Sequence, residues 1–159
     1  MTPAGHAALR AEYETSKAER HRVVEIVSWA AGNGDRSENA DYKEGKRRLR
    51  EIDRRLRYLT QRLDAAEVVD PAAQPRRDQV FFGATVTYAD PQGDEHVVTI
   101  LGIDEANSAL QQVSWVSPIA RALIKARVGD VVRLATPAGV QELEVLDVDY
   151  TAADPSPGP

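Results

Sequence analysis

The sequence predicts an α+β protein: a long N-terminal helical hairpin followed by a small module of strands with one helix. Three observations carry that expectation. Apolar or small residues recur at steps of three and four over two long stretches, 9–30 and 42–66, as in the seam of a two-helix coiled coil. Beyond residue 80 the pattern changes to short alternating runs divided by turn residues, which is how strands read. Charge divides the same way: 42–62 holds nine Lys or Arg against three acids, net +6, whereas 80–150 holds four against ten, net −6. Such asymmetry predicts two modules with different partners.

The first helix begins at Thr2-Pro3, an N-cap followed by a first-turn proline. Its seam runs Leu9, Tyr13, Ser16, Arg20, Val23, Val27 and Ala30, weak at Ser16 and Arg20 and strong from Val23 on. Gly5 and several alanines weaken its base, which is expected to fray. Gly32-Asn33-Gly34 ends it, because Gly and Asn tolerate the left-handed conformation that closes a helix. The second seam is uninterrupted: Tyr42, Gly45, Leu49, Ile52, Leu56, Leu59, Leu63 and Ala66. Two arms of about 25 residues make a rod of roughly 35–40 Å. Prolines then break the helical pattern in 68–79 (VVDPAAQPRRDQ). The expected division is a hairpin over 1–70, a linker over 71–79, a second module over 80–150, and a disordered Pro- and Ser-rich tail over 151–159.

In the second module, 84–89 and 96–103 read as strands around the turn Asp90-Pro91-Gln92-Gly93-Asp94. Ser117-Pro118 starts a helix over 118–126, and 130–136 and 140–149 read as strands joined through Pro137-Ala138-Gly139. Trp115 fits a core position. His96 reads as a surface residue on a strand, and His6 and His21 lie on the first helix without ligand partners.

Composition narrows the function classes. The 159 residues include no cysteine, which excludes disulfides, thiolate metal sites and a thiol nucleophile. No apolar run approaches the ~18 residues of a membrane span, and no hydrophobic signal core opens the chain, so a cytoplasmic protein without a membrane partner is expected.

Two features could carry function. Lys43, Arg47, Arg50, Arg54 and Arg57 step by 4, 3, 4, 3 into a continuous basic stripe beside the seam. The acid-first pairs Glu44–Arg48, Glu51–Arg55 and Asp53–Arg57 fit a solvated, self-compensated face equally well. Arginine tilts the balance toward phosphate, since its planar fork pairs two phosphate oxygens. With Tyr42 and Tyr58 the only aromatics in 42–62, base stacking along the rod is not expected. The second feature is the hairpin turn, where Asp35, Glu38 and Asp41 recur every three residues. Spacing alone favours a capping box of Asp35 and Glu38. The sharper alternative is a hard cation such as Mg²⁺, but so few carboxylates cannot fill an octahedral shell, so the ion would be shared with a partner.

The segments GDRSENADY (34–42), RRLREIDRRLRYLTQRL (47–63), VFFGA (80–84), SPIARAL (117–123), VGD (128–130) and TPAG (136–139) closely resemble the Gre family of bacterial transcript-cleavage factors. The resemblance spans about residues 2–150 in the family's order, and GDRSENADY with LREIDRRLRYL looks like the GreB branch rather than GreA. It implies an antiparallel coiled-coil hairpin that enters the secondary channel of bacterial RNA polymerase, followed by an FKBP-like α+β domain that docks at the channel rim. By the same resemblance, Asp35 helps to hold a catalytic Mg²⁺ shared with the polymerase, and none is bound by the isolated protein. Glu38 orients the attacking water, while Ser37, Asn39, Asp41 and Tyr42 shape the tip.

The resemblance further gives the stripe the role of holding the nascent RNA 3′ end, with Trp115, Ser117, Pro118, Ile119 and Ala120 as the docking loop. The chain departs from the family at Val116, where Asn or Asp usually precedes Ser-Pro; a polar contact is lost or replaced there by apolar contact from Trp115 and Val116. The implied activity is stimulation of the polymerase's own cleavage of backtracked RNA by a monomeric accessory factor that is not itself an enzyme. The alternatives are a secondary-channel factor that inhibits without cleavage, a prolyl isomerase, disfavoured by scarce aromatics, and a free RNA-binding hairpin, disfavoured by the net charge of −5.

Overall fold

The computed structural model describes residues 1–32 and 40–150. The chain divides into two compact units: His6–Ala66, and Met1–Gly5 together with the chain from Glu67 onward.

Two helices make the first unit, α1 (Pro3–Ala31), whose first turn belongs to the other unit, and α2 (Ala40–Ala65). Burial follows the two seams. Gly45, Ile52 and Leu59 are buried and Leu49, Leu56 and Leu63 half-buried on α2, while Val23, Val27 and Ala30 are covered on α1. Arg20, the polar interruption of the first seam, stays exposed and turns to Asp53 (Nε–Oδ1 2.6 Å). Close approach of the two helices near the turn that joins them depends on Gly45, where a Cβ would lie 2.4 Å from Val27 Cγ2. The helix ends at Ala31, with Gly32 N–H bonded to Trp29 O in a tightened last turn.

The start of α1 does not fray. Thr2 Oγ1 accepts the Gly5 N–H (3.0 Å), the expected N-cap, but the residue is also buried. Its own N–H and hydroxyl donate to the carboxylate of Glu105, and Val69 N–H reaches Met1 O (2.9 Å). Gly5 is what permits this: a Cβ there would sit 1.9 Å from Glu105 Oε2. Small residues that read as weakness along the chain are the fit of the first turn against a distant loop.

The second unit is a five-stranded mixed sheet in the order β3-β2-β1-β5-β4, with, among the described residues, one short α-helix and two single-turn 3-10 helices. Its strands are β1 (Thr85–Ala89), β2 (Glu95–Leu101), β3 (Gln112–Ser114), β4 (Val131–Thr136) and β5 (Gly139–Asp149). All neighbours pair antiparallel except β2 with β3. The sequence did not foretell β3; three residues are too few to show alternation. α3 (Pro118–Leu123) starts as expected, with Ser117 Oγ accepting Ala120 N–H. The core gathers Val80, Val86, Ile100, Leu123, Val145 and Tyr150. In β5 the register shifts opposite Thr87 and Tyr88. That bulge reverses the strand's alternation, so Leu143, Val145 and Tyr150 turn inward while Glu142, Glu144, Asp147 and Asp149 are exposed. Among the described residues no helix is long and apolar enough to cross a membrane.

Candidate functional site

The candidate site is the hairpin. Of the tip residues singled out in the sequence, Asp35, Ser37, Glu38 and Asn39 lie outside the described residues. Asp41 stands exposed in the first turn of α2, where a carboxylate complements the helix dipole, and Tyr42 is half-buried as the first seam residue.

The electrostatics of α2 differ from the local pairing that the sequence suggested. None of Glu44–Arg48, Glu51–Arg55 and Asp53–Arg57 forms among the described residues; Arg57 has no ion pair there, and the other side chains choose other partners. Arg48 reaches across the seam to Glu19 (2.6 Å) and Arg55 to Glu12 (2.7 Å), while Asp53 receives Arg20. These contacts tie the two helices together, as flanking charges do in a coiled coil. Glu51 accepts both Arg47 and Arg48, and Glu44 accepts Arg47. The hydrogen bond from Arg47 holds the Glu44 carboxyl below the usual carboxylate range.

All five residues of the basic stripe are exposed on α2. Arg47 is engaged by Glu44 and Glu51. Lys43, Arg50, Arg54 and Arg57 have no ion pair among the described residues. Among the described residues the stripe therefore holds four cations without an ion pair and one compensated one, whereas the neighbouring Arg48 and Arg55 pair across the hairpin.

Three aromatic positions gain significance from the structure. Tyr13 of α1 lines an open groove of about 410 Å³ with Asp53, Leu56, Arg57, Thr60 and Gln61, which places an aromatic ring at the end of the stripe farther from the tip. Tyr13 had read only as a seam residue. Trp29 is 64% exposed on α1; its place outside the seam was the available signal. Trp115 is 48% exposed after β3, so the core position expected for it is not where it lies. Its N–H is held by Leu101 O, which fixes the backbone while the indole faces outward. Around it, Pro118 is exposed, Val116, Ser117 and Ile119 are half-buried, and Ala120 is enclosed in the core.

His96 sits beside Asp90 (Nε2–Oδ2 2.8 Å) and stacks on Tyr88 across the β1–β2 pair, with 5.2 Å between ring centroids. Among the described residues no cluster of His, Asp and Glu is arranged to hold a metal.

Comparison with known proteins covers both units. Residues 1–68 match the family described as transcription elongation factor, N-terminal, and residues 74–150 match transcription elongation factor, GreA/GreB, C-terminal. The transcription elongation factor GreB of Neisseria meningitidis serogroup B is 57% identical over 155 residues, covering 97% of this chain and 95% of the relative. The GreB of Pseudomonas aeruginosa is 44% identical over 155 residues, covering 96% and 91%. Among solved structures, the GreA factor homolog 1 (Gfh1) of Thermus thermophilus aligns at 25% identity with a TM-score of 0.43, covering 93% of this chain and 96% of that one.

Proposed function

Because this chain belongs to the GreA/GreB family of transcription elongation factors, on the GreB branch, we propose that it acts in the cytoplasm, inserting its hairpin into the secondary channel of RNA polymerase to stimulate cleavage of backtracked RNA. The observation that carries this reading is the division of labour on α2. Arg48 and Arg55 bind the two helices together, and Lys43, Arg50, Arg54 and Arg57 stand in a row beside them with no ion pair among the described residues. A row of free cations on a narrow rod tracks a phosphate backbone without reading its bases. It holds the extruded RNA along the hairpin, with the 3′ end led toward the polymerase active site.

Asp35 and Glu38 act at the tip. As hard oxygen donors they suit Mg²⁺, and two carboxylates leave most of an octahedral shell to the polymerase. Asp35 contributes a ligand and Glu38 orients a water for in-line attack on the phosphodiester. When bound, the ion would supply charge stabilisation and a more acidic bound water. Trp115 and Pro118 offer the surface that docks at the channel rim. The protein is a monomeric accessory factor in this reading, and the bond-breaking machinery is the polymerase's.

The test is cleavage of 3′-labelled RNA in a stalled, backtracked polymerase complex, comparing the native protein with Asp35→Ala and Glu38→Ala. Faster release of short 3′ fragments by the native protein, with both variants bound but inactive, supports the reading. Binding that blocks extension without cleavage would replace it with the inhibitor.

A further inference from the structure

The half-buried carboxylate of Glu105 receives the Thr2 N–H, the Thr2 hydroxyl and the Gly102 N–H. These partners carry direction but no net charge, so the contact fixes geometry more than it balances charge. The packing around it leaves no slack: a Cβ on Gly5 would lie 1.9 Å from Oε2, and one on Gly102 would lie 3.0 Å from Oε1. Beyond Gly102, Leu101 is buried and its carbonyl accepts the Trp115 N–H at 2.9 Å. A continuous run of bonds therefore leads from the segment 115–118 through Leu101, Gly102 and Glu105 to Thr2. Thr2 already caps α1 by accepting the Gly5 N–H, and a cap needs only its own side chain. The carboxylate that arrives from 103 residues away fixes instead where that first turn sits.

We infer that Glu105 is a positioning residue: by fixing the first turn of α1 on the loop after β2, it sets the direction in which the hairpin leaves the module that docks. The inference rests on the function proposed above and names what aims the tip. After Gly5, α1 contains neither glycine nor proline to absorb a bend, and its 29 residues make a rod of about 43 Å. A tilt of about 3° at the first turn carries the far end of such a rod through about 2 Å. Chemistry at that end is sensitive to a misplacement of about 1 Å. Small freedom at Thr2 is thus large freedom at the tip, and Glu105 removes it.

The experiment uses the full-length protein and two variants. Glu105→Gln keeps the side chain's volume but sets an NH2 donor against part of the donor set; Thr2→Ser keeps the hydroxyl. Each is assayed on a backtracked polymerase complex for affinity and for the cleavage rate at saturating factor. Glu105→Gln should bind within about two-fold of the native protein and lose about ten-fold or more in saturated rate, because misplacement lowers the rate of the bound complex. Thr2→Ser should keep both. The chain has no cysteine, so cysteines introduced as Ala18→Cys and Gln92→Cys, both exposed positions, carry a spin-label pair that reads the direction of α1 in the free protein. Its distance distribution should broaden or shift in Glu105→Gln and stay native in Thr2→Ser. A rate that falls while the distribution stays native overturns the inference, as does a changed distribution with an unchanged rate. A loss confined to affinity also overturns it and makes Glu105 part of the docking surface. Should Glu105→Gln fail to fold by circular dichroism, Thr2→Val, which removes the hydroxyl and keeps the shape, takes its place. If the native protein does not stimulate cleavage, the function proposed above fails, and the spin-label distances alone then judge the anchor.

Discussion

Glu105 holds Thr2 through both carboxylate oxygens: the Thr2 N–H donates at 3.0 and 3.1 Å, and the hydroxyl donates to Oε2 at 2.6 Å. The same carboxylate accepts the Gly102 N–H at 2.8 Å. One acid from the loop after β2 thus satisfies donors at the first turn of α1 and in its own turn, and it lies where the helix dipole favours negative charge. Glu105→Ala leaves the Thr2 and Gly102 donors without that partner and is expected to lower stability by about 1–3 kcal/mol. Gly5→Ala should act at the same place, since its Cβ would overlap Oε2. Urea unfolding of both single variants and the double variant checks this. Additive losses would show that the two residues do not share one site.

Gly45 works by a different contact. Alanine in a helix interior is normally worth about 1 kcal/mol over glycine. Here the added methyl would meet Val27 Cγ2 at 2.4 Å, and a β-branched side chain in a helix has little freedom to turn away. Overpacking of roughly 1–3 kcal/mol should win, so Gly45→Ala is expected to lower the melting temperature. Val27→Ala in the same chain should restore part of the loss. A Gly45→Ala protein that melts higher than the native one would show that the helices can separate at no cost.

Tyr150 is fully buried, and its hydroxyl closes the core to the chain before β1: it accepts the Phe81 N–H at 2.6 Å and donates to Gln79 O. Tyr150→Phe preserves the packing and leaves a donor and an acceptor without this partner. A loss of about 1–3 kcal/mol is expected from chemical denaturation. An unchanged midpoint would mean that both backbone groups find other partners.

Asp90 links the β1–β2 turn to His96. The hydrogen bond from His96 is the main cause that holds the Asp90 carboxyl below its ordinary value of about 3.9, with burial opposing it and the Gln92 and Asp94 N–H groups adding to it. A carboxyl with a depressed folded-state pKa stabilises above its unfolded value and loses that contribution as pH falls through the folded one. The turn should therefore loosen below about pH 4. In His96→Ala the Asp90 titration should move back up toward the ordinary value, followed by carboxyl carbon-13 NMR. A native Asp90 that titrates at the ordinary value would refute this account.

Much of the architecture is written in local spacing. The steps of three and four that place Gly45, Ile52 and Leu59 on one edge of α2 are the positions the fold buries, because a helix turns at 3.6 residues whatever lies around it. Thr2-Pro3 and Ser117-Pro118 cap their helices as read, since a cap needs only the next three residues. Partnerships between distant segments were not legible in that way. Glu12 with Arg55 and Glu19 with Arg48 displaced the local i,i+4 pairs, because helix pairing brings charges together across 43 and 29 residues of chain. The same pairing sets Tyr13 beside Arg57, and the folding of a loop onto the N-terminus sets Glu105 on Thr2. Sequence by itself determined the α-helices, four of the five strands, two helix caps, the seam and the stripe. Tertiary structure alone decided which arginines pair across the rod, since a guanidinium's partner is whichever carboxylate the packing brings within reach.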